Sequence, residues 1–220
     1  METAAGVASS SRVGVFGGTF DPPHLGHARA ASEALRVLAL DRVLWVPSHL
    51  SPHKRDRRSS PPGVRWEMVC AALRGEPSFE ATRAEMDRRG VSYTIDTLRQ
   101  LRASQPQREL FLILGPDLID GFGSWRAPVE IARIARLVGL RFEGREGPAA
   151  PGRGVGSASA PAPSHVVDLA PCDISSSRIR RRVARGRTVS HMVVPAVLAI
   201  IQSRKLYMRR GDVPPDPEST

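Results

Sequence analysis

Short apolar runs alternate along the chain with segments whose apolar residues recur every three to four positions. Val13-Gly-Val-Phe16 reads as a short buried strand, broken by Gly17 and Gly18, and His24 to Leu38 follows as a helix. Val43-Leu-Trp-Val46 is a second apolar strand, and a helix pattern runs from about Val64 to Leu73. Ser78 to Ala81 reads as a strand and Tyr93 to Leu101 as a helix. Leu110-Phe-Leu-Ile-Leu114 is the clearest buried strand; Leu137 to Leu140 and Val166-Val167 are two more. Ser176 to Ala184 and Pro195 to Ser203 close the series as helices. Unbroken apolar strands that alternate with helices predict an α/β fold, a parallel sheet with helices on both faces, with a small C-terminal helical part.

The pattern also sets the domain limits. Residues 1–11 are small and polar and read as a flexible tail, and 208–220 as a second one. The span 12–207 reads as a single domain. Within it, 144–164 is mostly Gly, Pro, Ala and Ser without periodicity, so it is expected to be a flexible insert.

Composition narrows the picture. A chain of 220 residues with 41% apolar content suits one folded domain, and 5% aromatics means a core built from Val, Leu, Ile and Ala. The net charge of +10 favours anionic partners, although an Arg-rich chain also arises from compositional bias. Lys occurs only at Lys54 and Lys205. A basic nucleic-acid-binding module is one reading of this charge. Against it, no nucleic-acid motif and no aromatic stacking platform on a strand is recognisable. Cys70 and Cys172 lack metal-ligand spacing and read as idle thiols of a reducing compartment. The first residues hold no apolar segment, and the longest apolar run, Val193 to Ile201, falls far short of the ~20 residues of a membrane span. The expectation is a soluble cytoplasmic protein with no membrane or nucleic-acid partner; homo-oligomer formation is left open.

Chemistry concentrates after the first strand, in Gly17-Gly18-Thr19-Phe20-Asp21-Pro22-Pro23-His24-Leu25-Gly26-His27. Two glycines let the backbone approach a ligand. The helix that follows offers free N–H groups and its positive dipole end, which suits phosphate. His24 and His27 are three apart and face one side of the first turn, with Gly26 between them leaving space for a ligand. Two imidazole N–H groups there can steady charge growing on a phosphate. Alone, G-G or H-x-x-H reads as a Gly-rich turn with two surface histidines. A metal site would need a carboxylate on the right face, and a dinucleotide fingerprint would need G-x-G-x-x-G; neither is present.

A second element, Ile174-Ser175-Ser176-Ser177-Arg178-Ile179-Arg180, opens a helix. Serines cap a helix start and can bind phosphate with its N–H groups, and Arg180 can reach a β- or γ-phosphate as a planar donor. A capped surface helix with a solvated Arg cluster is the other reading, and it holds for Arg178, Arg181, Arg182 and Arg185.

Together these strings resemble the signatures of the HxGH nucleotidyltransferase superfamily: His24-Leu-Gly-His27, and an ISSTxxR-like motif with Ser177 in place of threonine. The resemblance implies a Rossmann-like doubly wound parallel sheet. It also implies direct in-line attack of an acceptor phosphate on the α-phosphate of ATP, with pyrophosphate leaving. Further segments are similar to bacterial nicotinate-nucleotide adenylyltransferases: Pro52-His53-Lys54, Ser92-Tyr93-Thr94 with Thr97-Leu98, Leu114-Gly115-Pro116-Asp117, Trp125, and Val193-Val194-Pro195-Ala196-Val197 with Leu206-Tyr207. Membership would make the reaction AMP transfer from ATP to nicotinate mononucleotide, giving deamido-NAD and pyrophosphate in NAD biosynthesis. The resemblance implies catalytic roles for His24, His27 and Arg180. It implies ATP binding by Gly17, Gly18, Thr19, Phe20, Lys54, Gly115, Asp117, Ser175, Ser176 and Ser177 as well. The acceptor would lie among His53, Tyr93, Thr94 and Trp125, with Trp125 stacked on its ring. Mg²⁺ is expected on the ATP phosphates, with no protein side-chain site evident. An R-x-G segment usual in the family is only loosely matched by Arg141 to Gly147. Pantetheine phosphate, riboflavin-type and nicotinamide mononucleotide acceptors are the alternatives. Preference for the acid fits the lack of Asp or Glu in Ser92 to Ile95 and in Gly121 to Ala127, with Asp96 and Asp120 just outside.

Overall fold

Six parallel strands form one sheet in the computed structural model, which describes residues 11–50, 59–88, 90–143 and 161–208. The strands are β1 (Arg12–Gly18), β2 (Arg42–Pro47), β3 (Phe79–Ala81), β4 (Glu109–Leu114), β5 (Ala135–Phe142) and β6 (His165–Leu169). Their order, β3-β2-β1-β4-β5-β6, is that of a doubly wound sheet. Central strands buried on both faces need unbroken apolar sequence, and β1, β2 and β4 carry it.

Alternation along each strand feeds two cores. Val13 and Val15 point to one face, where α4 (Thr94–Ser104) and α6 (Pro128–Ile134) bring Ile95, Leu98 and Ile131. Phe16 points to the other, against Ala30, Ala31 and Ala34 of α1 (Leu25–Val37). A third cluster joins α2 (Pro62–Ala72), α7 (Ser176–Val183) and α8 (Pro195–Ser203) through Met68, Ile179, Val197 and Ile201, and it forms the C-terminal helical part.

The sheet positions a crevice. From β1 the chain winds one way to β2 and β3, then returns to β4 and winds the other way. The β1–β4 ladder ends at Phe16 and Ile113, whereas β1–β2 continues two residues further to Gly18 and Pro47. The strands therefore part at Gly17 and Gly18, the switch point at which open α/β sheets bind ligands. The two glycines complete β1 rather than break it, a difference of two residues from the sequence reading.

Three short helices, α3 (Ala84–Asp87), α5 (Pro116–Asp120) and α6, lack any counterpart in the apolar pattern. Two turns or fewer are too short to display a 3.6-residue period. Of the expected insert, 144–160 lies outside the described residues; 161–164 leads into β6, with Ser164 N–H donating to Leu137 C=O at 2.8 Å.

Gly14 sits in the middle of β1. A Cβ there would come to 3.0 Å from both Ile113 Cδ1 and Leu40 Cδ1 and 3.3 Å from a Val43 methyl. Gly14→Val is expected to lower stability by about 1–3 kcal/mol through overpacking, measured as a lower urea midpoint; an unchanged midpoint would contradict this packing.

Candidate active site

The paired histidines cap α1 together. His24 is the N-cap in extended conformation, and its Nδ1 accepts the His27 N–H at 3.2 Å. His27 Nδ1 accepts the His24 N–H at 3.2 Å in return. The rings stack with centroids 3.6 Å apart and planes 18° from parallel. An Nδ1 that accepts a backbone N–H carries no proton, so each neutral ring keeps its proton on Nε2. Burial pushes the His24 ring from 6.5 down to about 4, which holds it neutral near physiological pH.

This cap changes the expected source of donors. Of the first-turn N–H groups of α1, Leu25 donates to Met192 C=O at 3.0 Å and His27 to the His24 ring. The helix start is thus largely engaged within the protein rather than free for a ligand. Gly26 lines the cleft as expected, and a Cβ there would lie 3.1 Å from His24 Nδ1 and 3.2 Å from Cys172 Sγ, so its missing side chain also makes room for those two.

Opposite lies the start of α7. Ser175 is its N-cap, its Oγ accepting the Arg178 N–H at 3.2 Å. Ser176 Oγ donates to Pro22 C=O at 2.9 Å, and Arg180 Nη1 donates to Asp21 C=O at 2.7 Å. Arg180 Nη2 reaches Ser177 Oγ at 3.2 Å. These bonds join segments more than 150 residues apart in sequence and dock α7 on the β1–α1 loop. Between the two helix starts runs a cleft of about 580 Å³, lined by Gly17, Gly18, Thr19, Phe20, His24, His27, Gly115, Asp117, Ser175, Ser176, Ser177 and Arg180. That size suits a small-molecule ligand. Phe20 contributes as wall: its side chain is buried against Phe16, His27 and Trp45. His53 and Lys54 lie outside the described residues.

A side chain absent from the sequence reading holds this arrangement. Arg65, in α2, is 1% exposed. Its Nε donates to Ser60 C=O at 3.0 Å, Nη1 to Thr19 C=O at 2.9 Å and Ser48 C=O at 2.6 Å, and Nη2 to His49 C=O at 2.8 Å. One guanidinium thus ties the loop after β1, the loop after β2 and the entry to α2. Beside it, the buried Asp21 carboxylate accepts Tyr207 OH at 2.7 Å and the Ser60 N–H at 3.2 Å.

A second, narrower cavity of about 190 Å³ opens beside the cleft and shares Gly17, Gly18, Thr19 and Trp125 with it. Its floor is apolar, from Val15, Val46, Leu112 and Leu114, and its rim holds Tyr93, Thr94, Trp125 and Arg126. Thr94 is the first residue of α4, so its N–H has no partner inside the helix. The wall also carries Glu85, which the sequence reading missed. Thr97 Oγ1 donates to Glu85 Oε1 at 2.7 Å and accepts from Arg88 Nη2 at 2.5 Å. Burial raises the Glu85 carboxyl above its ordinary value, with Thr97, Arg88 and Ser92 pulling the other way. Nothing local singles Glu85 out, because α3 is one turn long.

Comparison with known proteins agrees with this geometry. The family model described as cytidylyltransferase-like matches residues 15–182. A protein of Shouchella clausii, named a probable nicotinate-nucleotide adenylyltransferase, is 39% identical over 89% of this chain and 96% of its own. One of the same name from Thermus thermophilus is 41% identical over 89% of this chain and 99% of its own. In structure, the nicotinic acid mononucleotide adenylyltransferase of Plasmodium falciparum complexed with NaAD superposes with a TM-score of 0.65. It is 15% identical, covering 90% of this chain and 97% of that one, and so speaks to the fold.

Two predictions rest on these contacts. Arg65→Met removes four hydrogen bonds and orphans buried carbonyls, so it is expected to cost about 3 kcal/mol or more in urea unfolding; a loss below about 1 kcal/mol would contradict the clamp. The His24 shift has a defined sign. The unfolded state binds the extra proton between about 4 and 6.5, so stability is full above 6.5 and declines as pH falls towards about 4. Wild type is expected to lose more stability across that window than His24→Asn, whose side-chain oxygen can still cap α1. Parallel pH profiles for the two proteins would contradict a buried neutral imidazole.

Proposed function

The chain belongs to the cytidylyltransferase-like family and, within it, to the nicotinate-nucleotide adenylyltransferases, and on that footing we propose that it transfers AMP from ATP to nicotinate mononucleotide, releasing pyrophosphate and giving deamido-NAD. The observation that carries the reading is the pair of capped imidazoles beside a cleft with a second cavity opening into it. ATP takes the cleft and the pyridine mononucleotide the cavity.

An oxygen of the acceptor phosphate attacks the α-phosphorus. That P–O bond forms as the bond from the α-phosphorus to the α,β-bridging oxygen breaks, and pyrophosphate leaves. No covalent intermediate on the protein is needed. The Nε2–H groups of His24 and His27 donate to the α-phosphate oxygens as charge gathers there. Arg180 and the start of α7, with Ser175, Ser176 and Ser177, face the leaving phosphates. Gly17, Gly18 and Thr19 let the backbone border both substrates; a Cβ on Gly17 would meet nothing within 4 Å, which leaves that position open to a ligand. Phe20 backs the cleft, and Gly115 and Asp117 border the nucleotide. Tyr93, Thr94 and Trp125 take the pyridine ring, with Trp125 offering an aromatic face. His53 and Lys54 are assigned to the phosphate side by family resemblance alone.

Magnesium is expected on the ATP phosphates, whose oxygens would be its ligands. It would supply charge neutralisation on the pyrophosphate as that group departs. A cytoplasmic setting suits the free thiols Cys70 and Cys172, and no helix among the described residues is long and apolar enough to cross a membrane.

Pyrophosphate release from MgATP with nicotinate mononucleotide, nicotinamide mononucleotide and pantetheine phosphate tests the assignment. The acid is expected to give the largest kcat/KM; a clear preference for pantetheine phosphate would overturn the acceptor. His24→Ala and His27→Ala are each expected to lower kcat on the order of a hundredfold. Near-normal turnover in a folded His27→Ala protein would remove the imidazoles from the chemistry.

A further inference from the structure

Nicotinate and nicotinamide mononucleotides differ only in a carboxylate against an amide. Backbone N–H groups can bond both, so a strong choice needs a group that answers the charge. Two charged side chains line the acceptor cavity among the described residues, Glu85 and Arg126. Glu85 is buried in the wall and engaged by Thr97. Arg126 stands at the rim, next in sequence to Trp125, with its side chain 57% exposed.

The setting of Arg126 differs from that of the other arginines at the site. Arg65 and Arg180 direct their N–H groups to backbone carbonyls. Arg126 makes no hydrogen bond to another described residue. Two weaker contacts hold it. Its guanidinium carbon lies 4.9 Å from the centre of the Tyr93 ring, and Nη1 stands 3.5 Å from Asp96 Oδ2. Asp96 is itself shared, because Arg99 Nη1 lies 3.5 Å from its other oxygen. The cation–π contact restricts the long side chain while leaving its fork of donors for a ligand. A carboxylate on a ring laid against Trp125 would meet that fork and can accept two parallel bonds, which an amide cannot match with equal strength.

We propose that Arg126, steadied by Tyr93 and flanked by Asp96, is the residue that selects the acid form of the pyridine mononucleotide. The inference rests on the assignment of the narrower cavity to the acceptor. It adds a side chain to a preference otherwise left to backbone N–H groups and to the absence of nearby acids. It also explains how the cavity tolerates Glu85: burial favours the neutral form of that carboxyl, and the cation lies at the rim where the acceptor charge would sit.

The test is paired kinetics with both mononucleotides under saturating MgATP, for wild type, Arg126→Gln, Arg126→Lys and Asp96→Asn. Thermal midpoints accompany each variant; Arg126 is exposed, so they are expected to stay close to wild type. Arg126→Gln should lower the acid-to-amide ratio of kcat/KM roughly tenfold or more. Arg126→Lys should retain part of the ratio, and Asp96→Asn should hold or raise it. An unchanged ratio in Arg126→Gln overturns the inference. So does an equal loss for both acceptors, which would put Arg126 on their common phosphate. If wild type uses neither pyridine acceptor, the cavity assignment itself fails, an outcome distinct from either of these.

Discussion

The buried guanidinium of Arg65 is the constraint on which the site depends. Loops at the C-terminal edge of a parallel sheet must leave a crevice open, yet their carbonyls cannot stay buried without partners. Arg65 resolves this by donating to Thr19, Ser48, His49 and Ser60 at once. Burial alone would disfavour its charge, and desolvation does lower its affinity for the proton, offset in part by the nearby Asp21 carboxylate. The clamp then propagates. Arg65 belongs to α2, α2 packs on α8, and the chain beyond α8 brings Tyr207 back to Asp21. The Asp21 carbonyl takes Arg180, which sets α7 against the cleft. Arg65, Arg180 and Tyr207 thus converge on a three-residue stretch, Thr19 to Asp21, that lines the cleft.

That stretch is also where the two cavities join. Gly17, Gly18 and Thr19 border both, so under the proposed assignment the phosphate of an acceptor held in the narrower cavity would enter the wider one beside the imidazoles. Near-attack placement of two bound reactants replaces an entropic cost that a free encounter would carry. The imidazoles suit the task because their Nδ1 atoms are fixed by the backbone. With the ring orientation set by the cap, little rearrangement is needed as charge develops. A lysine pair would bring more charge but no such fixed direction.

Most strands and the longer helices were legible because buried parallel strands and amphipathic helices write periodic apolar patterns. The histidine pair and the serine-capped helix were legible because their pattern is local: two histidines three positions apart, three serines at one helix start. What escaped was non-local. Arg65 looks like any helix arginine, and only the convergence of four carbonyls from separate loops gives it a role. Glu85 sits in a one-turn helix, and its place in the wall of the narrower cavity follows from Thr97, twelve residues later. Gly26 lines the cleft as read, but the close approach of Cys172, distant in sequence, was not legible. The first-turn N–H groups of α1 were read as free because Met192, one of their acceptors, is distant in sequence.

The same geometry bears on why this chain uses arginine where lysine would carry equal charge. Arg102 repeats the behaviour of Arg65, donating to Pro106, Arg108 and Ile134 carbonyls at 3.0, 2.9 and 2.7 Å. Arg12 reaches Leu38 C=O, Arg178 reaches Asp173 C=O, Arg180 reaches Asp21 C=O and Arg182 reaches Thr188 C=O. Each such bond satisfies a loop or helix-end carbonyl that the regular hydrogen-bond ladder leaves out. A fork of five donors can do this for several carbonyls at once; an ammonium, compact and strongly hydrated, serves poorly as a bridge between distant loops. Part of the +10 charge is therefore scaffolding. Arg12 and Arg178 also pair with Glu109 and Asp173, but Arg65, Arg102, Arg180 and Arg182 donate to main-chain oxygens that carry no formal charge, so their charge persists in the net sum without requiring an anionic partner for each guanidinium.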